Sequence, residues 1–198
     1  MTNKKEGFLP KDYVPNSASE FMKLTEGDNE MRILSTPLIG KLWWVSPEGL
    51  VREKGGVQKG DKPYRIEYTT QLPKDVADCQ TKEFWMLKVW DYSAKSIKIL
   101  EITQQSILQS LHEFISNSKW GDPREYDVNI KREGSGMETK YFVMPSPHTM
   151  IAPEIKDAND NSKVELSSFL TPIDNSDPFE GMDVEDKKEQ ELEKDLPF

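Results

Sequence analysis

Glu83-Phe84-Trp85-Met86-Leu87-Lys88-Val89-Trp90, then Asp91-Tyr92-Ser93-Ala94-Lys95, then Ser96-Ile97-Lys98-Ile99-Leu100-Glu101-Ile102 is the most informative run in the chain. Both flanks are rich in β-branched and aromatic residues, and the middle is polar and turn-forming, so the run reads as two strands joined by a tight turn. The next segment has a different period. Ile107, Leu108, Leu111, Phe114 and Ile115 recur at helical spacing behind Thr103, which is placed to cap the N-terminus, while Gly121 and Pro123 stop the run. One apolar stripe on one helix implies a single helix laid against a sheet.

Upstream, strands are expected at Phe21–Leu24, Met31–Ser35, Gly40–Val45 and Tyr64–Tyr68, with a turn at Glu26–Asn29 and a polar, Gly-rich loop from Glu53 to Asp61. Downstream, Tyr126–Arg132 and Thr139–Met144 alternate on either side of Gly134-Ser135-Gly136, which predicts a hairpin. Several strands, one helix and a closing hairpin match the order of a mainly β OB-fold, a five-stranded Greek-key β-barrel with its helix between the third and fourth strands. The domain is expected over residues 20–145, behind an N-terminal arm at 1–19. A flexible linker is expected at 146–173, where Leu166, Phe169 and Leu170 are candidates for transient docking, and a disordered acidic tail at 174–198.

Charge sharpens that division. The chain has 198 residues and a formal net charge of −9. Residues 1–150 hold 21 basic and 21 acidic side chains, whereas residues 151–198 hold 5 and 14, so the whole acidic excess lies at the end. Residues 31–100 carry 12 basic against 8 acidic side chains. A mildly basic body with an acidic tail is the asymmetry that a function must explain. It also suggests that the tail lies on the basic face in the free protein and competes with a polyanion there.

Other function classes find little support. The sequence shows no phosphate-binding glycine loop, nucleophile motif or His pair, which argues against an enzyme. Cys79 is the one cysteine and, with His112 and His148, forms no metal-ligand spacing, so it reads as a loop thiol; no cofactor and no metal are expected. No run approaches a membrane span or a signal peptide, and mean hydropathy is −0.71, so a cytoplasmic protein is expected.

Strand alternation assigns faces. Trp85, Leu87 and Val89 make a wholly apolar face, and Phe84, Met86, Lys88 and Trp90 make the other. Lys41 shares a face with Trp43 and Val45, while Leu42 and Trp44 point the opposite way. If lysine marks the outside, Trp43, Phe84 and Trp90 are outward-facing aromatics beside positive charge. Such a surface suits single-stranded nucleic acid, because bases stack on aromatics and Lys or Arg hold phosphates. The candidate DNA-binding residues are therefore Lys41, Trp43, Arg65, Phe84, Lys88, Trp90 and Tyr92. Each aromatic is, singly, an equal candidate for the core, and Tyr64 and Tyr68 beside Ile66 read as core. Trp120 is expected to cap the helix stripe.

The tip Asp195-Leu196-Pro197-Phe198 comes after an acidic run. An apolar ring, a stiffening proline and a carboxylate suit capture in a pocket with a basic rim, so these four residues are the candidate partner-binding site.

With those residues in hand, the chain resembles bacteriophage single-stranded-DNA-binding proteins of the OB type, and its tip resembles the tail tip of bacterial single-stranded-DNA-binding proteins. The resemblance rests on Phe21–Leu24 with Gly27–Asn29 and Arg32–Ser35, on Val89–Tyr92 with Leu100–Gln104, on Trp120–Pro123 with Tyr126-Asp127, and on 195–198. It implies a protein that coats single strands in replication, recombination or repair and recruits replication or recombination proteins through its tail. Some phage relatives carry structural zinc, whose ligands this chain lacks. The rival readings are an OB-fold interaction or inhibitor protein, or a single-stranded-RNA-binding module, acting through the tail.

Overall fold

The structure, a computed structural model, describes residues 20–172. Seven strands form one antiparallel sheet: β1 (Glu30–Ile33), β2 (Leu38–Val45), β3 (Lys62–Glu67), β4 (Lys82–Asp91), β5 (Ser96–Ile102), β6 (Asp127–Glu133) and β7 (Lys140–Pro145). Among the described residues two α-helices accompany it, α1 (Gln105–Ser116) and α2 (Pro153–Asp160), so the fold is mainly β with few helices, consistent with a barrel-like arrangement.

β4 is the hub because it is long enough to pair with three other strands. Its first half pairs with β2, from Leu38↔Met86 to Leu42↔Lys82, and its second half pairs with β1, where Ile33 faces Val89. β1 and β2 thus run end to end along it. The ladder breaks between them at Leu34–Pro37, where Pro37 has no N–H to offer. Ser35 Oγ repairs the gap by accepting the Lys88 N–H at 2.9 Å, and Leu34 N–H donates to the Lys88 carbonyl at 2.8 Å. On its other edge β4 pairs with β5 over seven residues, Trp85↔Ile102 to Asp91↔Ser96. β6 pairs with β1 and β7, and β3 pairs only with β2.

The strand expected at Phe21–Leu24 is instead a single bridge between Phe21 and Ile99. Helix α1 begins one residue after Gln104, whose backbone is extended, and no side-chain cap bond forms; Thr103 precedes it. Its stripe buries Ile107, Leu108 and Leu111 against Met31, Ile33, Leu87, Val89, Leu100, Ile102, Tyr126, Val128 and Ile130, which makes this face the main core. Trp120 closes the helix end, edge-on to Phe114 and to Tyr126.

A buried polar knot fixes the far end of the sheet. Arg32 is 2% exposed; its Nε donates to Asp127 Oδ1 at 2.5 Å, and its terminal nitrogens donate to Thr149 Oγ1 and the Thr149 carbonyl. Tyr92 Oη donates to the same Asp127 oxygen at 2.9 Å. Burial and that carboxylate together push the Tyr92 phenol up to about 12.

The stretch expected as a flexible linker carries structure up to residue 172. Helix α2 buries Ile155, and a short 3-10 turn at Leu166–Phe169 packs on the sheet. Residues 1–19 and 173–198 lie outside the described residues, as do the expected arm and acidic tail. Among the described residues no helix is long and apolar enough to cross a membrane.

Candidate nucleic-acid interface

Register decides which side chains share a face, because directly opposed residues of an antiparallel pair point the same way. Gly40 opposes Phe84, Leu42 opposes both Lys82 and Arg65, Glu101 opposes Met86, and Arg32 opposes Trp90. Arg65, Lys82, Phe84, Met86, Lys88 and Trp90 therefore lie on one face, the outer one, away from α1. Lys41 opposes Glu83, and Trp43 opposes Tyr64, so both belong to the other face. The predicted site residues divide between two sides of the sheet. Arg65, Phe84, Lys88 and Trp90 are brought together; Lys41 and Trp43 are not among them.

The exposure expected of the aromatics is corrected: Trp43 lies on the inner face, and Phe84 and Trp90 lie on the outer face but are buried. Trp43 is 2% exposed, Phe84 0% and Trp90 6%. Trp43 stacks on Tyr64 with ring centroids 5.9 Å apart and packs with Ile66 and Val76. The Phe84 ring lies over Gly40, where a Cβ would come within 2.6 Å of it and 2.1 Å of the Ile66 carbonyl oxygen. Lysine misled as a marker of the outside, since a long side chain on an inner face still reaches water at the rim. Lys41 does this, placing Nζ 2.7 Å from Asp78 Oδ1. Tyr92 is half-buried and engaged with Asp127.

The second reason for the burial is a cover. Leu42, Phe84, Met86 and Ile99 form a small apolar cluster on the outer face, and Phe21, Leu38, Val164, Leu166, Phe169 and Leu170 pack onto it. Phe169 meets Phe21 edge-on at 5.3 Å. Arg65 sits at the margin, its Cζ 6.0 Å above the Phe21 ring and its Nε 2.5 Å from Glu101 Oε2. Thr171 then runs along the free edge of β3, donating its N–H to the Arg65 carbonyl at 2.8 Å and accepting the Arg65 N–H on Oγ1 at 3.2 Å. Such pairing blunts an edge strand that would otherwise invite another chain.

Two lysines flank this cluster on β4. Lys82 and Lys88 are half-buried and have no carboxylate partner among the described residues. They lie six residue steps apart along the strand, roughly 20 Å, with Phe84 and Met86 in between. Trp44, two residues beyond Leu42 on the same outer face, is half-buried and belongs to none of the three apolar clusters. Trp44, rather than Trp43, is thus the tryptophan of β2 that this face offers. The signal was available: Gly40, Leu42 and Trp44 are one alternating set, and a glycine in a strand marks close approach by something on its own face.

β7 presents a further surface that alternation along 139–144 could have singled out. Tyr141 and Val143 pack inward, whereas Phe142 and Met144 are 46% and 43% exposed. Phe142 opposes Lys131, but Lys131 already pairs with Glu133 at 2.7 Å. Glu30, Asp28 and Glu138 lie nearby in the register or the hairpin turn, and exposed Lys140 on the same face opposes Glu133, so the charge around Phe142 is mixed. The cleft beside Tyr92, about 400 Å³, is lined by Asp28, Glu30 and Asp91 against the single Lys23, so it is poorly suited to an anion. No cluster of three or more His, Cys, Asp or Glu able to hold a metal occurs among the described residues, and Cys79 is an exposed free thiol.

Among known proteins the chain is similar to the "Probable ssDNA-binding protein" of Escherichia phage T5. The two are 23% identical over 174 residues, covering 80% of this chain and 66% of the relative's length. No family model and no solved structure matches.

Proposed function

We infer that this chain is a non-enzymatic single-stranded-DNA-binding protein of the OB type. The observation that carries the reading is the agreement between the phage T5 relative's name and the connectivity of the sheet. Counting the end-to-end pair β1–β2 as one bent strand, β4 comes second and β5 third, then α1, β6 and β7. Counted so, the order supports the OB reading, with the helix between strands three and four and β3 as an addition that lengthens the first connection. In that fold, oligonucleotides bind on the face of strands two and three, which here is the outer face of β4 and β5.

On this reading Arg65, Lys82 and Lys88 contact phosphates, and Trp44 supplies stacking surface. Phe84 and Phe21 join it when the outer face is open. Binding is largely independent of sequence and weakens with salt, because backbone charge and base stacking carry it. Coating of strands in phage replication, recombination or repair belongs to the same proposal. So does recruitment of replication proteins by Asp195, Leu196, Pro197 and Phe198, and placement in the cytoplasm.

The burial of Trp43 and Trp90 favours a second reading, in which the barrel is a scaffold and interactions with other proteins are the function. Anisotropy of a labelled oligo-dT titrated with the full chain separates the two. The single-strand reading expects saturable binding that salt weakens and unlabelled duplex does not displace. No binding at low salt leaves the scaffold reading.

A further inference from the structure

The outer face of β4 and β5 is closed by a segment with few ties to it. Val164, Leu166, Phe169 and Leu170 contribute side-chain burial, but the turn's own bonds are local: Ser168 N–H to the Glu165 carbonyl, Leu170 N–H to the Ser167 carbonyl, and Ser168 Oγ–H to the Glu165 carbonyl. The 3-10 turn has no side-chain cap. Between this segment and the strands, one backbone bond runs from the Thr171 N–H to the Arg65 carbonyl, and the Arg65 N–H donates to Thr171 Oγ1. Segments held by few buried contacts and few long-range hydrogen bonds open at much lower free energy than the surrounding fold.

What such an opening would uncover is distinctive. Phe21 and Phe84, now buried or half-buried, would become aromatic surface on one face. Lys82 and Lys88 stand at its two ends without carboxylate partners among the described residues, and Arg65 stands at its side. An apolar, aromatic centre with cations at its ends is the complement of a short run of unpaired nucleotides, whose bases need planar apolar contact and whose phosphates need positive charge.

We propose that residues Val164–Thr171 are a displaceable strap, and that the surface beneath it is where single-stranded DNA binds in this protein. The proposal rests on the single-strand-binding reading. The strap occupies the site with its own aromatic ring, Phe169 against Phe21, so that DNA and strap exclude one another. Only the strap-open fraction of molecules binds, and the apparent dissociation constant rises in inverse proportion to that fraction. Closure also keeps the apolar cluster out of water while no strand is bound.

Hydrogen exchange of the full chain with and without saturating oligo-dT tests this directly, alongside oligo-dT anisotropy for wild type and Phe169→Ala. Expected are faster exchange in the peptide spanning 164–171 when DNA is present, and tighter binding by Phe169→Ala, on the order of threefold or more. If oligo-dT binds but the strap amides stay protected and Phe169→Ala binds no better, the strap is a fixed part of the fold and the proposal is overturned while the single-strand reading stands. If neither protein binds oligo-dT, the single-strand reading falls, and the strap proposal with it. The exchange measurement on wild type stands even if Phe169→Ala folds poorly.

Discussion

The two faces of β4 are covered in opposite ways. On the inner face α1 comes directly after β5 in sequence and brings Ile107, Leu108 and Leu111 to a core of twelve buried residues. On the outer face a cluster of four buried residues is covered by a segment more than sixty residues away in sequence from its strand partners Met86 and Ile99. The first cover is local, periodic and deep, as a permanent element of a core must be. The second is remote, aperiodic and shallow, and it lies over the apolar stretch of β4 between Lys82 and Lys88. Depth of burial separates a structural cover from one that can exchange with a ligand.

Substitutions on the two faces put that contrast at risk. The largest effect is expected for Gly40→Ala, which forces a methyl into the Ile66 carbonyl and the Phe84 ring from beneath the outer cluster. A loss of about 3 kcal/mol or more in urea unfolding is expected, since the backbone carbonyl cannot swing aside. Leu111→Ala on the inner face should cost roughly 2–3 kcal/mol through the cavity it leaves. Phe169→Ala should cost only about 1 kcal/mol, because the half-buried ring loses part of its buried area. If Phe169→Ala proves as costly as Leu111→Ala, the strap is core and the contrast fails.

Smaller effects concern charge. Lys88→Ala should leave the urea midpoint nearly unchanged and flatten the slope of log affinity for oligo-dT against log salt by about 0.7, the share of one phosphate contact on a single strand. An unchanged slope would remove Lys88 from the interface. Tyr92 gives the smallest effect. Its phenol is raised to about 12 in the folded chain, above its ordinary value of 10.0, so folding favours the protonated form. That contribution is fully present below pH 10 and is lost as pH rises toward 12, which should appear as a fall in stability at alkaline pH. Tyr92→Phe should flatten the alkaline limb; an identical limb would place the loss elsewhere.

The inner face was legible in the sequence because its signals are periodic. Seven strand positions and the stripe Ile107–Leu108–Leu111 emerge from alternation and helical spacing, with boundaries shifted by a residue or two. Phe21–Leu24 reads as a strand by composition, yet it forms only an isolated bridge, Phe21 with Ile99, and no ladder. The candidate site was legible in part. Arg65, Phe84, Lys88 and Trp90 do share a face, but Lys41 and Trp43 lie on the other, because a lysine on an inner face escapes to the rim and so carries no information about which face is outside. The strap was not legible. Leu166, Phe169 and Leu170 stand among serines and acids without a period, and what makes them a cover is a surface that only the fold assembles.

Photo-cross-linking of a halogenated oligo-dT to the full chain, with the attachment sites mapped by mass spectrometry, asks which face holds the strand. Cross-links are expected on the outer face, at Phe84, Trp44 or Phe21, and they should be abolished by salt and competed away by unlabelled single strand. Cross-links confined to the β6–β7 hairpin around Phe142, or none above a duplex control, would contradict binding beneath the strap.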